Sequence, residues 1–218
     1  MKVCNIKKTN LKVFSHMSLL SKNSRIDYLM KIILASFIAS IGFITNRQES
    51  IIGSMLISPF GGPIMGLVSA LLIFDAKASL NSTIYILIGF VIMVLVGMFI
   101  GYINRNNPPT DEMKKRYNQP SKWILIDGIF IGIVFSIVTL SSGSAVIEGV
   151  GAGIAVALLP PIVNSGLTFM NTTLDKQTRH KNIKHTLFIT GANVAGVVIA
   201  SMVVFSIHCN YKYLFKWE

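Results

Sequence analysis

Two carboxylates, Asp127 and Glu148, stand inside apolar stretches of this sequence. An ionisable side chain within a membrane-spanning segment is costly and commonly serves ion or proton transfer. Asp127 lies about one helical turn from Lys122 and could instead pair with it at the level of the lipid headgroups. Glu148 follows the polar stretch 141–144, near the other surface. Both are candidates for ion or proton coupling, with a surface position as the alternative.

Prolines interrupt two of the apolar stretches, at Ser58-Pro59-Phe60-Gly61-Gly62-Pro63 and at Pro160-Pro161. Proline removes a backbone donor and pushes the preceding residue out of the α region, so both helices are expected to break there. A break inside a membrane offers backbone groups and half-helix ends to an ion or polar solute, whereas a kink filled by a neighbouring helix is the structural alternative. The predicted midplane binding or gating residues are Ser58, Pro59, Gly62, Pro63, Pro160, Pro161, Asn164 and Asn193.

Asn193 and several glycine pairs allow a packing interpretation. Asn193 lies deep in the last apolar stretch, where an amide can bond across helices for about 1 kcal/mol, so packing is as good an explanation as ligand binding. Four glycine pairs have the GxxxG spacing that lets helix backbones approach closely: Gly62/Gly66, Gly97/Gly101, Gly128/Gly132 and Gly149/Gly153. We expect them to pack within the fold, although one pair could form an oligomer face.

The sequence has no recognisable enzyme motif. It contains neither His-Glu-x-x-His nor Gly-x-Ser-x-Gly, and His180 and His185 lie in a polar, basic loop far from other ligand types. Cys4 and Cys209 stand alone at opposite ends, without the spacing of a disulfide framework or a metal site. We therefore expect no enzymatic activity, no cofactor and no metal.

The composition is that of an integral membrane protein. Charged residues make up 13% of the 218 residues, about half of the roughly 25% typical of soluble domains. Hydrophobic residues make up 52%, and the mean hydropathy is +0.61. This excludes soluble enzymes, nucleic-acid-binding modules and disulfide-stapled secreted domains. The net charge of +11 comes from residues between apolar runs, where they can bind anionic lipid headgroups.

Six apolar segments predict six transmembrane helices, because about 20 residues span a bilayer. They form a domain of residues 29–208, with halves 29–103 and 122–208 joined by a linker, 104–121. A basic arm, 1–28, precedes the domain and a short tail, 209–218, follows it. The segments are 29–45, 50–74, 84–103, 122–141, 145–170 and 185–208.

The two halves are related in order and in the position of their breaks. A shift of 98 residues superposes Gly53 on Gly151 and Pro63 on Pro161. Three crossings per half predict an inverted repeat, the plan of many transporters. If segments two and five were re-entrant, the repeat would instead be parallel. Six crossings place ten basic residues on each side, so the positive-inside rule leaves the orientation undetermined.

The run from Asn46 to Pro63, NRQESIIGSMLISPFGGP, resembles the signature of the membrane family known as domain of unknown function 389. The stretch Gly153–Pro161, which ends in the double proline, is similar to a second motif of that family, and Asn193 stands where an asparagine is usual. The resemblance implies a polytopic membrane fold and no established activity. Ser54 departs from the usual alanine, and residues 1–28 are too short for the soluble N-terminal domain of many members.

These features predict an all-α, multi-pass membrane protein. Its expected function is a transporter or channel for an ion or small polar solute, built around the two breaks. The alternative is a non-transporting scaffold or structural component, in a virion or host membrane if the genome is viral. The expected partners are the lipid bilayer, anionic headgroups and a possible second copy of the chain, but no nucleic acid.

Overall fold

The computed structural model describes the backbone of residues 22–117, 121–141 and 144–214, and the side chains of 25–117, 126–137, 154–155 and 157–208. Within these ranges every regular element is a helix. Most of the basic arm, both cysteines and the Glu148 side chain lie outside them. The helices are α1 (Lys22–Ile44), α2 (Gln48–Ile57), α3 (Gly61–Leu72), α4 (Ala76–Ile103), α5 (Asp111–Tyr117), α6 (Ser121–Ser141), α7 (Ser144–Met170) and α8 (Lys176–Leu214).

Several of these helices are long and apolar enough to cross a membrane. In the described part of the chain they are Arg25–Ile44, Ala76–Ile103 and Lys176–His208. Helices α2 and α3 are bent by 48° relative to each other at the short break between them. Together they make a fourth span if they form one bent crossing. Shorter apolar stretches, 126–137 and 157–170, belong to α6 and α7. The structure is therefore that of an all-α membrane protein.

Helices α1 and α4 lie side by side and run in the same direction. The Tyr28 hydroxyl donates to the Tyr85 carbonyl at 2.8 Å, near the start of both helices. The rings of Phe37 and Phe99, further along both helices, pack edge to face with centroids 6.3 Å apart. Helix α2 begins just after α1 ends, and α3 ends just before α4 begins. The bent pair thus leads from the end of α1 to the beginning of α4.

Helices α6 and α8 also run in the same direction and approach each other closely. A Cβ on Gly128 would lie 3.0 Å from the Asn193 backbone, and a Cβ on Gly132 would lie 2.7 Å from the Val197 carbonyl. Both glycines of this GxxxG pair therefore serve contacts inside the fold, as predicted.

Helices α4 and α7 join the two halves through a second line of close glycine contacts, the glycine seam. A Cβ on Gly97 would lie 2.5 Å from the Val163 carbonyl, and a Cβ on Gly101 would lie 2.9 Å from the Leu167 backbone. The later residue of α4, Gly101, contacts the later residue of α7, Leu167, so the two helices run in the same direction. The predicted pair Gly97/Gly101 thus also serves contacts inside the fold.

The linker contains a helix that was not predicted. Two prolines, 108 and 109, precede Thr110, whose hydroxyl accepts from the Met113 amide at 3.4 Å and caps the first turn of α5. Acidic residues occupy the first turn of α5 and basic residues the last, which complements the helix dipole. These local signals are sufficient to identify the helix.

The prediction that the fifth apolar segment, 145–170, breaks at the double proline is wrong. Helix α7 runs from Ser144 to Met170 with Pro160 and Pro161 inside it. A helix tolerates proline in a membrane where neighbouring groups satisfy the carbonyls that proline leaves without a donor. The first predicted interruption is different, because α2 ends at Ile57 and α3 starts at Gly61.

Candidate functional site

The break between α2 and α3 is buried inside the protein. Ser58 leaves the helix with an extended backbone, φ −67° and ψ 126°, because the following Pro59 disfavours the α region. Phe60 is fully buried, and its ring centroid lies 5.6 Å from that of Phe90 on α4. A Cβ on Gly89 would lie 2.8 Å from the Phe60 ring, so the absence of a side chain at Gly89 leaves room for this ring.

The hydroxyl of Ser58 differs from most other buried hydroxyls of the chain. Ser54, one turn earlier, donates to the Ile51 carbonyl at 2.6 Å, the usual way for serine to be satisfied in a helix. Ser58 is 5% exposed, yet its Oγ has no partner among the described residues. The carbonyl of Met55 in the preceding turn accepts from the Ser58 amide at 3.3 Å, and the hydroxyl is left available to a ligand or to water.

The other predicted residues of the first break are placed unequally. Pro63 is buried and Pro59 is half-buried. Gly62 is exposed, and a Cβ there would meet nothing within 4 Å. Gly62 therefore lies on the outer surface of α3, away from the buried interior of the break.

Asn193 of α8 provides the donor that the double proline of α7 lacks. In a helix the amide of residue 161 would donate to the carbonyl of Ala157, but proline has no amide hydrogen. The Asn193 Nδ2 donates to this carbonyl at 3.2 Å instead. Pro160 and Pro161 are themselves buried beside this contact. The arrangement satisfies the carbonyl that Pro161 leaves without a helical donor.

The Asn193 oxygen is not used by that bond. Asn193 is 6% exposed, and its Oδ1 has no hydrogen-bond partner in the described structure. A buried polar atom without a partner costs about 1–3 kcal/mol and calls for an explanation such as water or an ion. The packing contact thus uses the amide nitrogen of Asn193. The amide oxygen is left for the alternative role that the sequence suggested, ligand binding.

Asn164 repeats this arrangement one level nearer the end of α7. Its Nδ2 donates to the Met113 carbonyl of α5 at 3.2 Å. The residue is completely buried, and its Oδ1 is again without a partner among the residues described. All three polar side chains predicted at the breaks, on Ser58, Asn164 and Asn193, therefore carry an unpartnered buried oxygen.

Helix α5 covers the end of the molecule near Asn164. The Thr110 hydroxyl donates to the Phe43 carbonyl at 2.7 Å, which ties α5 to the end of α1. The hydroxyls of Tyr117 and Thr168 lie 2.7 Å apart and tie it to α7. Together with the Asn164–Met113 bond, these contacts hold α5 as a cover over this end.

The cover carries buried charge. Glu112 is 5% exposed, its amide donates to Asn46 Oδ1 at 3.0 Å, and its carboxylate pairs with Lys115. Burial lowers the pKa of Arg116, and the charge of Glu112 opposes that effect. Burial raises the pKa of Tyr117, and its hydrogen bond to Thr168 offsets part of the rise. These residues were predicted only as part of a linker, because their partners Asn46 and Thr168 lie 66 and 51 residues away in the sequence.

Of the two predicted ion-coupling carboxylates, one has a described side chain. Asp127 lies on an exposed face of α6. Glu148 belongs to α7, but its side chain lies outside the described ranges. A further buried hydroxyl, that of Ser82 on α4, has no partner among the residues that the structure describes and was not predicted. Among the described side chains, no three His, Cys, Asp or Glu residues are grouped to hold a metal ion.

A family model described as "Domain of unknown function (DUF389)" matches residues 55–209, which include the break, the double proline and Asn193. The chain belongs to this family. The resemblance inferred from the motifs is thus confirmed, although the match begins within the first motif rather than at Asn46. Among curated relatives, this DUF389 member is similar to the uncharacterized protein MJ0678 of Methanocaldococcus jannaschii, with 28% identity over 144 residues. That alignment covers 65% of this chain and 43% of the relative, so the chain matches less than half of that protein's length. No solved structure matches the chain significantly.

Proposed function

We propose that this DUF389 protein is a membrane transporter or channel for an ion or small polar solute, with no enzymatic activity of its own. The observation that carries the proposal is the set of unpartnered buried oxygens on Ser58, Asn164 and Asn193. Buried acceptors without protein partners are expected where a polar ligand or water passes. Their helices are neighbours in the fold, since α7 contacts α2, α3 and α8.

The directions of the helices support six crossings in two inverted halves. Helices α1 and α4 are parallel, so the bent pair α2–α3 must return across the layer that α1 has crossed. Helices α4 and α7 are parallel as well, whereas α8 follows α7 through a short turn and runs back, with α6 beside it. On this reading α1 and α6 begin on opposite sides, as an inverted repeat requires.

The unpartnered oxygens are spread in depth on this topology. Asn164 lies six residues before the end of α7 and Ala157, the partner of Asn193, lies thirteen before it, which is about 9 Å and 20 Å at 1.5 Å per residue. Ser58 follows ten residues of α2, or about 15 Å. The oxygens thus occupy successive levels between one end of the molecule and its middle, as expected for a path with several weak sites.

Helix α5 is the gate of this path in our proposal. It covers the end nearest Asn164, and the Asn164 amide is one of its attachments. A ligand that reaches the Asn164 oxygen would contact a side chain that also holds the cover. Displacement of α5 would then open this end, while the glycine seam between α4 and α7 keeps the halves together.

The basic start of α8 is the proposed contact with anionic lipid headgroups. Lys176, His180, Lys181 and Lys184, with Gln177, line an open groove on one side of this helix. These residues precede the apolar part of α8, where headgroups of an adjacent bilayer would lie. The groove would hold the gated end of the protein at the membrane surface.

A scaffold role has less support. The GxxxG pairs could face a partner, but two of them, Gly97/Gly101 and Gly128/Gly132, are occupied by α7 and α8. Of the pair Gly62/Gly66, Gly62 faces outward. The exposed apolar side chains of the described helices are of the kind expected against lipid. A transporter or channel accounts for the unpartnered interior oxygens, which a scaffold leaves unexplained.

Cysteine accessibility in native membranes tests the proposal. In a background lacking Cys4 and Cys209, we expect Ser58→Cys to react with a small, charged thiol reagent from the aqueous phase. Ser54→Cys is the matched control, because Ser54 is buried on the same helix and its hydroxyl is satisfied. Equal protection of both positions would mean that no water reaches the break and would overturn the proposal.

Flux gives the second test. Full-length protein in proteoliposomes should move at least one small ion or solute, and Asn164→Leu should abolish the flux while the protein still folds. Phe169→Leu, on an exposed position of the same helix, should leave it intact. Loss of flux in both variants, or no flux over empty liposomes for any solute tried, would count against transport.

A further inference from the structure

We propose that the ligand of the buried oxygens is a monovalent cation, held by the Oδ1 atoms of Asn164 and Asn193 and by the Ser58 hydroxyl at successive positions. The inference rests on the proposed function and adds the chemical class of its substrate. The inference follows from which buried polar atoms have a hydrogen-bond partner in the fold and which do not.

The orientation of both amides is determined by their neighbours. Asn164 faces the Met113 carbonyl at 3.2 Å, and Asn193 faces the Ala157 carbonyl at the same distance. A carbonyl oxygen can only accept a hydrogen bond, so the amide nitrogen must point toward it in each case. The atom that remains unpartnered is therefore the oxygen on both side chains, as found.

Oxygen acceptors without a partner favour a cation over an anion. An anion needs N–H or O–H donors directed toward it, whereas a cation needs only oxygen lone pairs. Each amide nitrogen donates one of its two hydrogens to a backbone carbonyl, whereas neither amide oxygen accepts a hydrogen bond within the described structure. The Ser58 hydroxyl oxygen can coordinate a cation as well, because it has two lone pairs and no hydrogen-bond partner among the described residues.

The charge of the ligands points to a monovalent ion. Amide and hydroxyl oxygens are neutral, like the backbone carbonyls that replace the hydration shell of potassium in channel filters. Divalent calcium and magnesium are usually bound through carboxylates. Glu112 is the one carboxylate classed as buried among the described side chains, and Lys115 already pairs with it.

The positive charge of Arg116 stands near the gated end and must be accounted for. Arg116 is on the same helix as Glu112, whose charge opposes the effect of burial on the Arg116 pKa. Glu112 also pairs with Lys115, so these three groups together carry one positive charge, and Arg116 Nε has no hydrogen-bond partner among the described residues. Asn164 is attached to this helix through Met113. Movement of α5 away from α7 would carry Arg116 with it and lower the barrier to a cation at that end.

Cation binding can be measured on the purified full-length protein in nanodiscs. The thermal-unfolding midpoint is recorded in sodium, potassium or ammonium chloride, each titrated against N-methyl-D-glucamine chloride at constant ionic strength. We expect a saturable rise with at least one of the small cations, since ligands that bind only the native state stabilise it. The three salts separate an alkali ion from ammonium, which share this chemistry.

Ser58→Ala is the informative variant, because it removes a hydroxyl that has no protein partner to lose. A contact to a charged group is worth about 1.5–3 kcal/mol, so the apparent cation affinity should fall on the order of tenfold or more. Ser54→Ala, which removes a satisfied hydroxyl on the same helix, should leave the affinity unchanged. Equal affinities in wild type and Ser58→Ala would remove Ser58 from the site, and the absence of any cation effect would overturn the inference.

Flux distinguishes failure of this inference from failure of the proposed function. Flux of sodium, potassium or ammonium that Ser58→Ala reduces supports both. Flux of chloride, nitrate or a neutral solute without dependence on the cation overturns the cation site and leaves transport standing. Saturable cation binding without any flux supports the site and overturns transport.

Discussion

Replacing Asn193 with alanine should destabilise the protein by an amount that depends on Pro161. The Asn193 amide donates to the Ala157 carbonyl, which lacks a helical donor only because residue 161 is proline. In a Pro161→Ala background the new amide can donate to Ala157 within the helix. The cost of Asn193→Ala should therefore be smaller in that background than in the wild type.

The size of the difference follows from the bond. Leaving a buried carbonyl without a partner costs about 1–3 kcal/mol, and interhelical bonds in membrane proteins average about 0.6 kcal/mol in double-mutant cycles. We expect a coupling energy of about 1 kcal/mol between the two substitutions. For a chain of this length that corresponds to a difference of about 2–4 °C in the unfolding midpoint. The cavity left by alanine at 193 is present in both backgrounds and cancels.

Equilibrium unfolding in mixed micelles, carried out as a double-mutant cycle, measures this coupling. Pro160→Ala serves as the matched control, since its new amide would reach the carbonyl of residue 156 rather than that of Ala157. Asn193→Ala should add to Pro160→Ala without coupling. If the cost of Asn193→Ala is the same with proline or alanine at 161, to within about 0.5 kcal/mol, the amide is not a substitute for the missing helical bond.

Two further predictions concern the glycine seam and the cover helix. Gly97→Ala should destabilise the fold in the same unfolding assay, because its Cβ would lie 2.5 Å from the Val163 carbonyl. Gly191→Ala, where nothing lies within 4 Å, should be neutral or slightly stabilising, and equal effects at both sites would contradict the seam. The raised pKa of Tyr117 means that the unfolded chain loses this proton before the folded one does, so its contribution to stability is present below about pH 10 and is lost as the pH rises through the folded pKa. Tyr117→Phe should reduce the fall in stability above about pH 10, and an unchanged pH profile would mean that folding does not raise the pKa of Tyr117.

Local sequence identified some elements of the site reliably. Pro59 after Ser58 ends α2, as predicted, because proline restricts the residue before it. The same rule failed at Pro160 and Pro161, where α7 continues. The difference lies in Asn193, whose amide supplies a donor from a helix more than thirty residues away. No local rule contains that contact.

In the cover helix α5, too, some features follow from local sequence and others only from tertiary contacts. The cap and charge pattern of α5 can be read from residues 110–117 alone, although the sequence analysis treated this stretch as a linker. Its function as a cover cannot be read in this way, because it depends on contacts of Thr110 with Phe43 and of Tyr117 with Thr168. These partners are separated by 67 and 51 residues.

Composition and apolar segment length by themselves determined that this is a helical membrane protein, and its motifs pointed to the DUF389 family. The physical reason is that the cost of exposing apolar side chains adds up residue by residue and does not depend on their partners. Only the tertiary structure decided that α7 stays intact, that Gly62 faces outward, and that the free atoms of Asn164 and Asn193 are oxygens. These outcomes depend on which donor meets which acceptor across helices, and that pairing exists only once the helices have packed.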